Sequence, residues 1–253
     1  SSGLAKQMDS IEIEAVNSST SLFVLVDEYL YLSRYFNYEK EIFDLVVKSL
    51  SLESAQWFEN ITETQIQRQV DLYFLNSENH QVDWQKQAVI NSLDKSFSII
   101  CGGPGTGKTT TVIKLLLSLV GLRQEVRPQS ALEIKLCAPT GKAAQRLGES
   151  ILDSLNKLDV SNEIKTRIPI AATTIHRLLK PRGQDKFYHD SQNQLALDVL
   201  ILDEASMVDL SLMAKLILAL PKHCQLILLG DKEQLASVEA GNVLAEISAA
   251  KLN

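Results

Sequence analysis

Eight consecutive residues, Gly102-Gly103-Pro104-Gly105-Thr106-Gly107-Lys108-Thr109, constrain this chain more than any other feature. They complete a GxxxxGK[ST] pattern directly after the apolar run 97–101 and before a helical pattern over 110–119, which predicts a loop between a strand and a helix. Glycines let such a loop curl until successive backbone N–H groups face phosphate oxygens, and the following helix N-terminus adds its positive end. In that arrangement Lys108 reaches the β and γ oxygens, Thr109 ligates Mg²⁺, and Thr110 stands beside them at the helix start. A glycine-rich turn could match the letters alone, but the strand–loop–helix context makes that the weaker reading.

The surrounding pattern agrees. Four short apolar runs, 97–101, 132–138, 199–202 and 226–229, are each followed by a Gly or Asp turn and then a helical pattern. Runs so little interrupted by polar residues suit strands covered on both faces, so the expectation is a doubly wound α/β fold with a parallel sheet and helices on both sides. The polar stretches 153–169 and 180–194 are expected to be helix ends or surface insertions.

The run 199–202 ends in Asp203 and Glu204. At a strand end Asp203 can hold the magnesium shell and Glu204 can orient and deprotonate an attacking water. Adjacent acids there can also be a helix N-terminal charge with no catalysis; a phosphate loop upstream favours the catalytic reading. After the last run, Gly230-Asp231-Lys232-Glu233-Gln234 offers Gln234 as a γ-phosphate sensor, against the alternative of a polar turn capping a helix. Together these pieces point to NTP hydrolysis.

Residues 1–80 read differently. Residues 22–32 predict a β-hairpin around Asp27-Glu28, residues 41–52 place Ile42, Leu45, Val46 and Leu50 at helical spacing, and residues 61–75 are amphipathic less regularly. This is a small α-rich module, with its boundary in the polar segment 76–82 and the α/β unit occupying 81–253. The net charge of −6 divides unevenly: 5 Lys and Arg against 14 Asp and Glu through Trp84, then 20 against 17 from Gln85 onward. A mildly basic α/β part permits nucleic-acid binding despite the acidic total. No apolar stretch approaches the roughly 18 residues of a membrane span. The three cysteines form no CxxC pair, so a reducing cytoplasmic compartment is expected. The opening Ser1-Ser2-Gly3 lacks an initiator Met and is read as a scar or cleavage product.

From about Val82 onward the chain resembles superfamily 1 DNA helicases, and within them the RecD family, the alpha subunits of RecBCD (exodeoxyribonuclease V) complexes. Five blocks carry the resemblance in the family's order: 102–111, 138–147 (APTGKAAQRL), 173–179 (TTIHRLL), 202–209 (LDEASMVD) and 229–244 (LGDKEQLASVEAGNVL). The resemblance implies a RecA-like P-loop NTPase lobe, ATP and Mg²⁺ as cofactors, and single-stranded DNA as track. The segment 83–88 is similar to the Q motif, which implies that Gln85 reads the adenine edge. It also implies that Lys108 and Thr109 bind phosphate and metal, Asp203 holds the metal, Glu204 activates water and Gln234 couples the γ-phosphate to DNA movement. In the block at 138–147, Pro139, Thr140, Gly141 and Lys142 follow a strand and open a helix, so their backbone amides and the Thr140 hydroxyl suit a phosphate, in the family that of single-stranded DNA. Lys142 and Arg146 would join it, although on residue chemistry alone they are a solvated helix face. Thr173 and His176 lie at the DNA edge in the family, whereas an isolated His among Ile175, Leu178 and Leu179 is more often a packed residue.

Residues 25–42 are similar to the end of the family's N-terminal domain, which docks onto a RecC-like subunit; RecB- and RecC-like partners are thereby implied. Standalone RecD-like helicases usually carry Pro where Ala236 stands here and lack the continuation at 238–241, which favours the complex subunit. The resemblance further implies 5′→3′ translocation and a second RecA-like lobe whose arginines stabilise the transferring phosphoryl group, an effect of roughly 10³ to 10⁵ in rate. That lobe has no counterpart here, so the chain is expected to be a truncated ATP-binding fragment, nearly inactive alone. A P-loop ATPase acting on something other than DNA and a non-enzymatic docking module are the readings from other classes.

Overall fold

The computed structural model describes residues 22–26, 29–51, 61–74, 82–103, 105–183 and 186–231, with Val243, Leu244 and Ile247. Strands β1 (Phe23–Val26) and β2 (Tyr29–Leu32) pair antiparallel, so the expected hairpin forms; its Asp27-Glu28 turn lies outside the described residues. Helix α1 (Ser33–Ser51) follows at once, its first amide donating to the Leu22 carbonyl at 3.0 Å. It starts earlier than the expected 41–52 because Tyr35 and Tyr38 extend the apolar stripe of Ile42 and Leu45 by two helical turns.

Helix α2 (Glu63–Asp71) opens with a reciprocal capping box, in which Thr62 accepts from the Gln65 amide and Gln65 accepts from the Thr62 amide at 2.9 Å. Its Ile66 and Val70, with Phe74 just beyond, are buried in the same apolar cluster as helices α3 (Trp84–Leu93) and α4 (Lys108–Val126). Helix α1 instead joins the cluster on the opposite face through Ile42. The two helices of the acidic stretch therefore cover different faces of the α/β unit.

The sheet has five parallel strands in the order β3-β7-β6-β4-β5, formed by β3 (Phe97–Cys101), β4 (Ile134–Ala138), β5 (Ala172–Thr174), β6 (Val199–Leu202) and β7 (Gln225–Gly230). Helices α5 (Gly141–Lys157), α6 (Asn162–Arg167), α7 (Ile175–Leu179) and α8 (Leu210–Leu218) complete the layers. Strand side chains alternate between them: Val199, Ile201, Ile227 and Leu229 pack on the α2–α5 side, and Leu200, Leu202, Leu226 and Leu228 on the α1, α7, α8 side. The α/β fold with helices on both faces is as expected from the four apolar runs. Strand β5 was not expected; Ala172–Thr174 has one apolar residue and becomes a strand only by pairing with the free edge of β4.

One buried polar residue ties the layers. Gln225, fully buried at the start of β7, donates from Nε2 to the carbonyls of Ser92 at 2.6 Å and Lys95 at 2.8 Å, fastening the end of α3 to the sheet. Cys137 and Cys224 are buried and Cys101 is exposed. Among the described residues no helix is long and apolar enough to cross a membrane.

Candidate functional site

All five parallel strands end at one edge, and every block singled out from the sequence that the structure describes lies there. At that edge β3 runs into the phosphate loop and α4 starts at Lys108. Gly107, the residue before the helix, has φ +83, a left-handed conformation that disfavours any side chain. A Cβ on Gly107 would also lie 2.3 Å from Gln85 Nε2, so a side chain there would displace the Gln85 amide from its present place. Thr106 closes the turn by donating from Oγ1 to the Gly103 carbonyl at 2.9 Å. The Lys108 ammonium folds back to donate to the Gly102 carbonyl, across the mouth of the loop. Thr109 is half-buried and Thr110 exposed at the helix start, and the Thr111 hydroxyl donates to the Gly107 carbonyl at 3.1 Å. Gly105 also has positive φ. Pro104 lies outside the described residues.

Gln85 is brought onto this loop by α3. Asp83 caps that helix, its Oδ1 accepting from the Gln85 and Lys86 amides at 3.0 Å each. The Gln85 side chain then donates to the Thr106 carbonyl at 3.0 Å. Its amide thus braces the phosphate loop, a contact that the spacing of 21 residues did not reveal.

Strand β7 lies between β3 and β6, so the ends of β6 and β3 are separated by one strand. Asp203, just beyond β6, donates its amide to the Cys137 carbonyl of β4 at 2.9 Å and accepts from the Glu204 amide on Oδ1 at 2.9 Å. Burial pushes the Asp203 carboxyl above its ordinary pKa, while the Glu204 amide and the Lys108 charge pull the other way. Glu204 has φ +51, an uncommon conformation for a residue with a side chain, and it caps the single 3₁₀ turn Ala205–Met207. A half-buried hydroxyl, that of Thr109, and a half-buried carboxylate, that of Asp203, are hard oxygen donors of the kind Mg²⁺ takes together with phosphate oxygens and water. Among the described residues no group of three or more His, Cys, Asp and Glu could hold a metal by itself. The oxygen donors of Thr109 and Asp203 are of the type that would suit a metal carried in with phosphates. Gln234 lies outside the described residues.

The next strand end, that of β4, presents Pro139 and Thr140. Thr140 caps α5, its Oγ1 accepting from the Ala143 amide at 3.2 Å. The Gly141 and Lys142 amides, first in the helix, have no intrahelical acceptor. Gly141, Lys142 and Arg146 are exposed. At the end of β5, Thr173 is half-buried and Thr174 caps α7, accepting from the Arg177 amide at 3.2 Å. His176 is exposed on the first turn of α7, its ring tilted against Phe187 with centroids 5.7 Å apart, so it is not the packed core histidine of the bland alternative.

An AAA domain family model matches residues 85–240, more than half of the chain. The chain belongs to the AAA domain family. It is also 50% identical over 189 residues to the RecBCD enzyme subunit RecD of Haemophilus influenzae, which covers 73% of the chain and 29% of that protein. To the RecBCD enzyme subunit RecD of Mycolicibacterium smegmatis it is 37% identical over 225 residues, 88% of the chain and 38% of that protein. To the ATP-dependent RecD2 DNA helicase of Deinococcus radiodurans it is 37% identical over 152 residues, 60% of the chain and 18% of that protein. The chain spans less than two fifths of the length of these relatives.

Two features of this AAA domain escaped the sequence reading. Asp231 follows Gly230, whose carbonyl accepts from the Gly102 amide at 3.1 Å, and it is buried beside the phosphate loop. Its position two residues past an apolar run was visible, but a role for it was not assigned. After α7, a bridge between Pro181 and Phe187 shapes the expected surface insertion, and Tyr188 lies under Arg182, 4.3 Å from guanidinium to ring centroid, with Lys180 at 5.4 Å. Nothing in the spacing of these residues signalled that stack.

Proposed function

We propose that this AAA domain is the ATP-binding lobe of a DNA helicase subunit of the RecBCD type, a 5′→3′ motor on single-stranded DNA that works in the cytoplasm with RecB- and RecC-like partners. The observation that carries this reading is the gathering of the phosphate loop, Asp203-Glu204 and the blocks at Thr140 and His176 on one edge of a single sheet. The two RecD relatives support the same assignment.

In this reading Lys108 leaves the Gly102 carbonyl to meet the β and γ oxygens of ATP, and the loop amides exchange solvent for phosphate. Mg²⁺, when bound with the nucleotide, neutralises charge that develops on the phosphates. Thr109 and Asp203 hold it, which requires Asp203 ionised despite its burial. Glu204, next in sequence and lifted by its left-handed backbone, orients and deprotonates the attacking water; Gln234 senses the γ-phosphate. Gln85 serves both the adenine and the loop. Gly141, Lys142, Arg146, Thr140 and Pro139 receive a DNA phosphate, with Thr173 and His176 farther along the same edge. Residues 1–80 serve subunit docking, for which the exposed Leu25, Tyr29 and Leu30 of the hairpin offer an apolar surface.

Binding of a fluorescent ATP analogue to the chain and to Lys108→Ala, with and without Mg²⁺ and a short single-stranded oligonucleotide, tests this. Loss of one charge-assisted contact set, about 1.5–3 kcal/mol, should weaken binding about tenfold or more. The oligonucleotide should change nucleotide affinity. Equal binding by Lys108→Ala would remove the phosphate assignment, and indifference to the oligonucleotide would remove the DNA assignment.

A further inference from the structure

Helix α2 closes a ring of contacts that starts and ends at the phosphate loop. Helix α4 leaves that loop at Lys108, and its last turn carries Glu125, whose Oε1 accepts from Gln65 Nε2 at 3.2 Å and from the Arg68 guanidinium, both on α2. At the other end of α2, Asp71 Oδ1 meets Lys86 Nζ at 2.7 Å. Lys86 follows Gln85 in the first turn of α3, and Gln85 donates back to the Thr106 carbonyl of the loop at 3.0 Å. Just beyond α2, the Phe74 ring centroid lies 3.8 Å from Lys114 Nζ, in the middle of α4.

Ile66 and Val70 share an apolar cluster with Val89 and Leu93, which joins α2 to α3. Apolar burial has no direction, so the rotation of α3 about its axis is left to polar contacts. Asp83 holds the Gln85 and Lys86 amides from the start of α3 itself, and Asp71 holds the same turn from outside. The Asp71 Oδ1 also accepts from Gln67 Nε2 at 2.8 Å, one turn back on α2, so this carboxylate is oriented toward Lys86 by its own helix. The Lys86 ammonium in turn holds the Asp71 carboxyl below its ordinary pKa.

We propose that Asp71 is a positioning residue for base selection by the nucleotide site: through Lys86 it fixes the first turn of α3 and keeps the Gln85 amide at the phosphate loop, where that amide favours adenine over guanine. The proposal rests on the reading of Gln85 as the group that meets adenine. A side-chain amide offers one acceptor and a pair of N–H donors on one plane, which pairs with the N7 and N6–H of adenine, whereas guanine presents two acceptors at the same edge. The preference therefore depends on where the amide is held. Helix α2 belongs to the acidic stretch, so that stretch bears on nucleotide choice as well as on docking.

Competition by ATP and by GTP against the fluorescent ATP analogue, on the whole chain and its variants, tests this. The readout is the ratio of the GTP to the ATP dissociation constant, because loosening of the phosphate loop weakens both nucleotides alike and cancels. Asp71→Asn should lower that ratio about two- to fivefold, the size of an exposed ion pair, and Lys86→Met should do the same. Asp71→Asn added to Gln85→Ala should lower it no further than Gln85→Ala alone. Exchanging the charges, Asp71→Lys with Lys86→Asp, should restore the ratio. If Gln85→Ala lowers the ratio while Asp71→Asn changes only the melting temperature, or changes nothing, the proposal is overturned and the reading of Gln85 stands. If Gln85→Ala itself leaves the ratio unchanged, the reading of Gln85 fails and the proposal falls with it.

Discussion

The β1–β2 hairpin and the β6–β7 pair are built from nearly the same letters, FVLV and YLYL in one, VLIL and QLILLG in the other. In β6 and β7 every residue is buried. In the hairpin Phe23, Leu25, Tyr29, Leu30 and Leu32 are all exposed. The difference is coverage: β6 and β7 have a helix layer on each face and strands on both sides, whereas the described neighbours of the hairpin are its own two strands and the start of α1. An apolar run therefore makes a strand without deciding its burial; the layers around it decide that.

The largest expected effect is in the interior. Ile201→Ala, in the middle of β6, should destabilise the chain by about 2–5 kcal/mol in a denaturant titration, the usual cost of a large-to-small change in a packed core. A loss below about 1 kcal/mol would mean that the β6 layer is no better packed than the hairpin.

A smaller effect, of opposite sign, belongs to the end of the same strand. Burial holds the Asp203 pKa above its ordinary value, so the ionised carboxylate lowers folded-state stability, and wild-type stability falls as pH rises through the raised pKa. Asp203→Asn should melt higher at neutral pH, with the gap closing as the pH is lowered through that pKa, while the Mg²⁺ dependence of ATP-analogue binding disappears. An unchanged or lower melting temperature at neutral pH would show that the Glu204 amide and Lys108 outweigh burial.

The smallest effect is expected in the hairpin. Leu25 and Leu30 face each other in register, and Leu25→Ser with Leu30→Ser should change unfolding free energy by no more than about 0.5 kcal/mol. Solubility should rise as the exposed apolar surface shrinks. A stability loss like that of Ile201→Ala would show that this surface is covered in solution.

The legible part of the molecule was its locally encoded part. The run 97–101, the loop at 102–109 and the acids at 203–204 were readable because strand period, glycine curl and ligand chemistry need only neighbouring residues. Helix α1 was placed too short because its aromatic turn, Tyr35 and Tyr38, was not counted with its aliphatic one. Strand β5 was missed because Ala172–Thr174 has little strand character until β4 offers it an edge.

Local pattern alone establishes that a phosphate-binding strand–loop–helix unit and a second acid-ended strand exist, since side-chain periodicity and backbone permissiveness act over a few residues. That β7 inserts between them, that Gln85 braces the Thr106 carbonyl, that Glu204 takes a left-handed backbone, and that Arg123 is buried with its Nη1 unpartnered among the described residues are decided by long-range packing. The physical reason is that every parallel strand offers the same hydrogen-bonding edge, so strand order and the contacts it creates follow from how helices pack over the whole sheet.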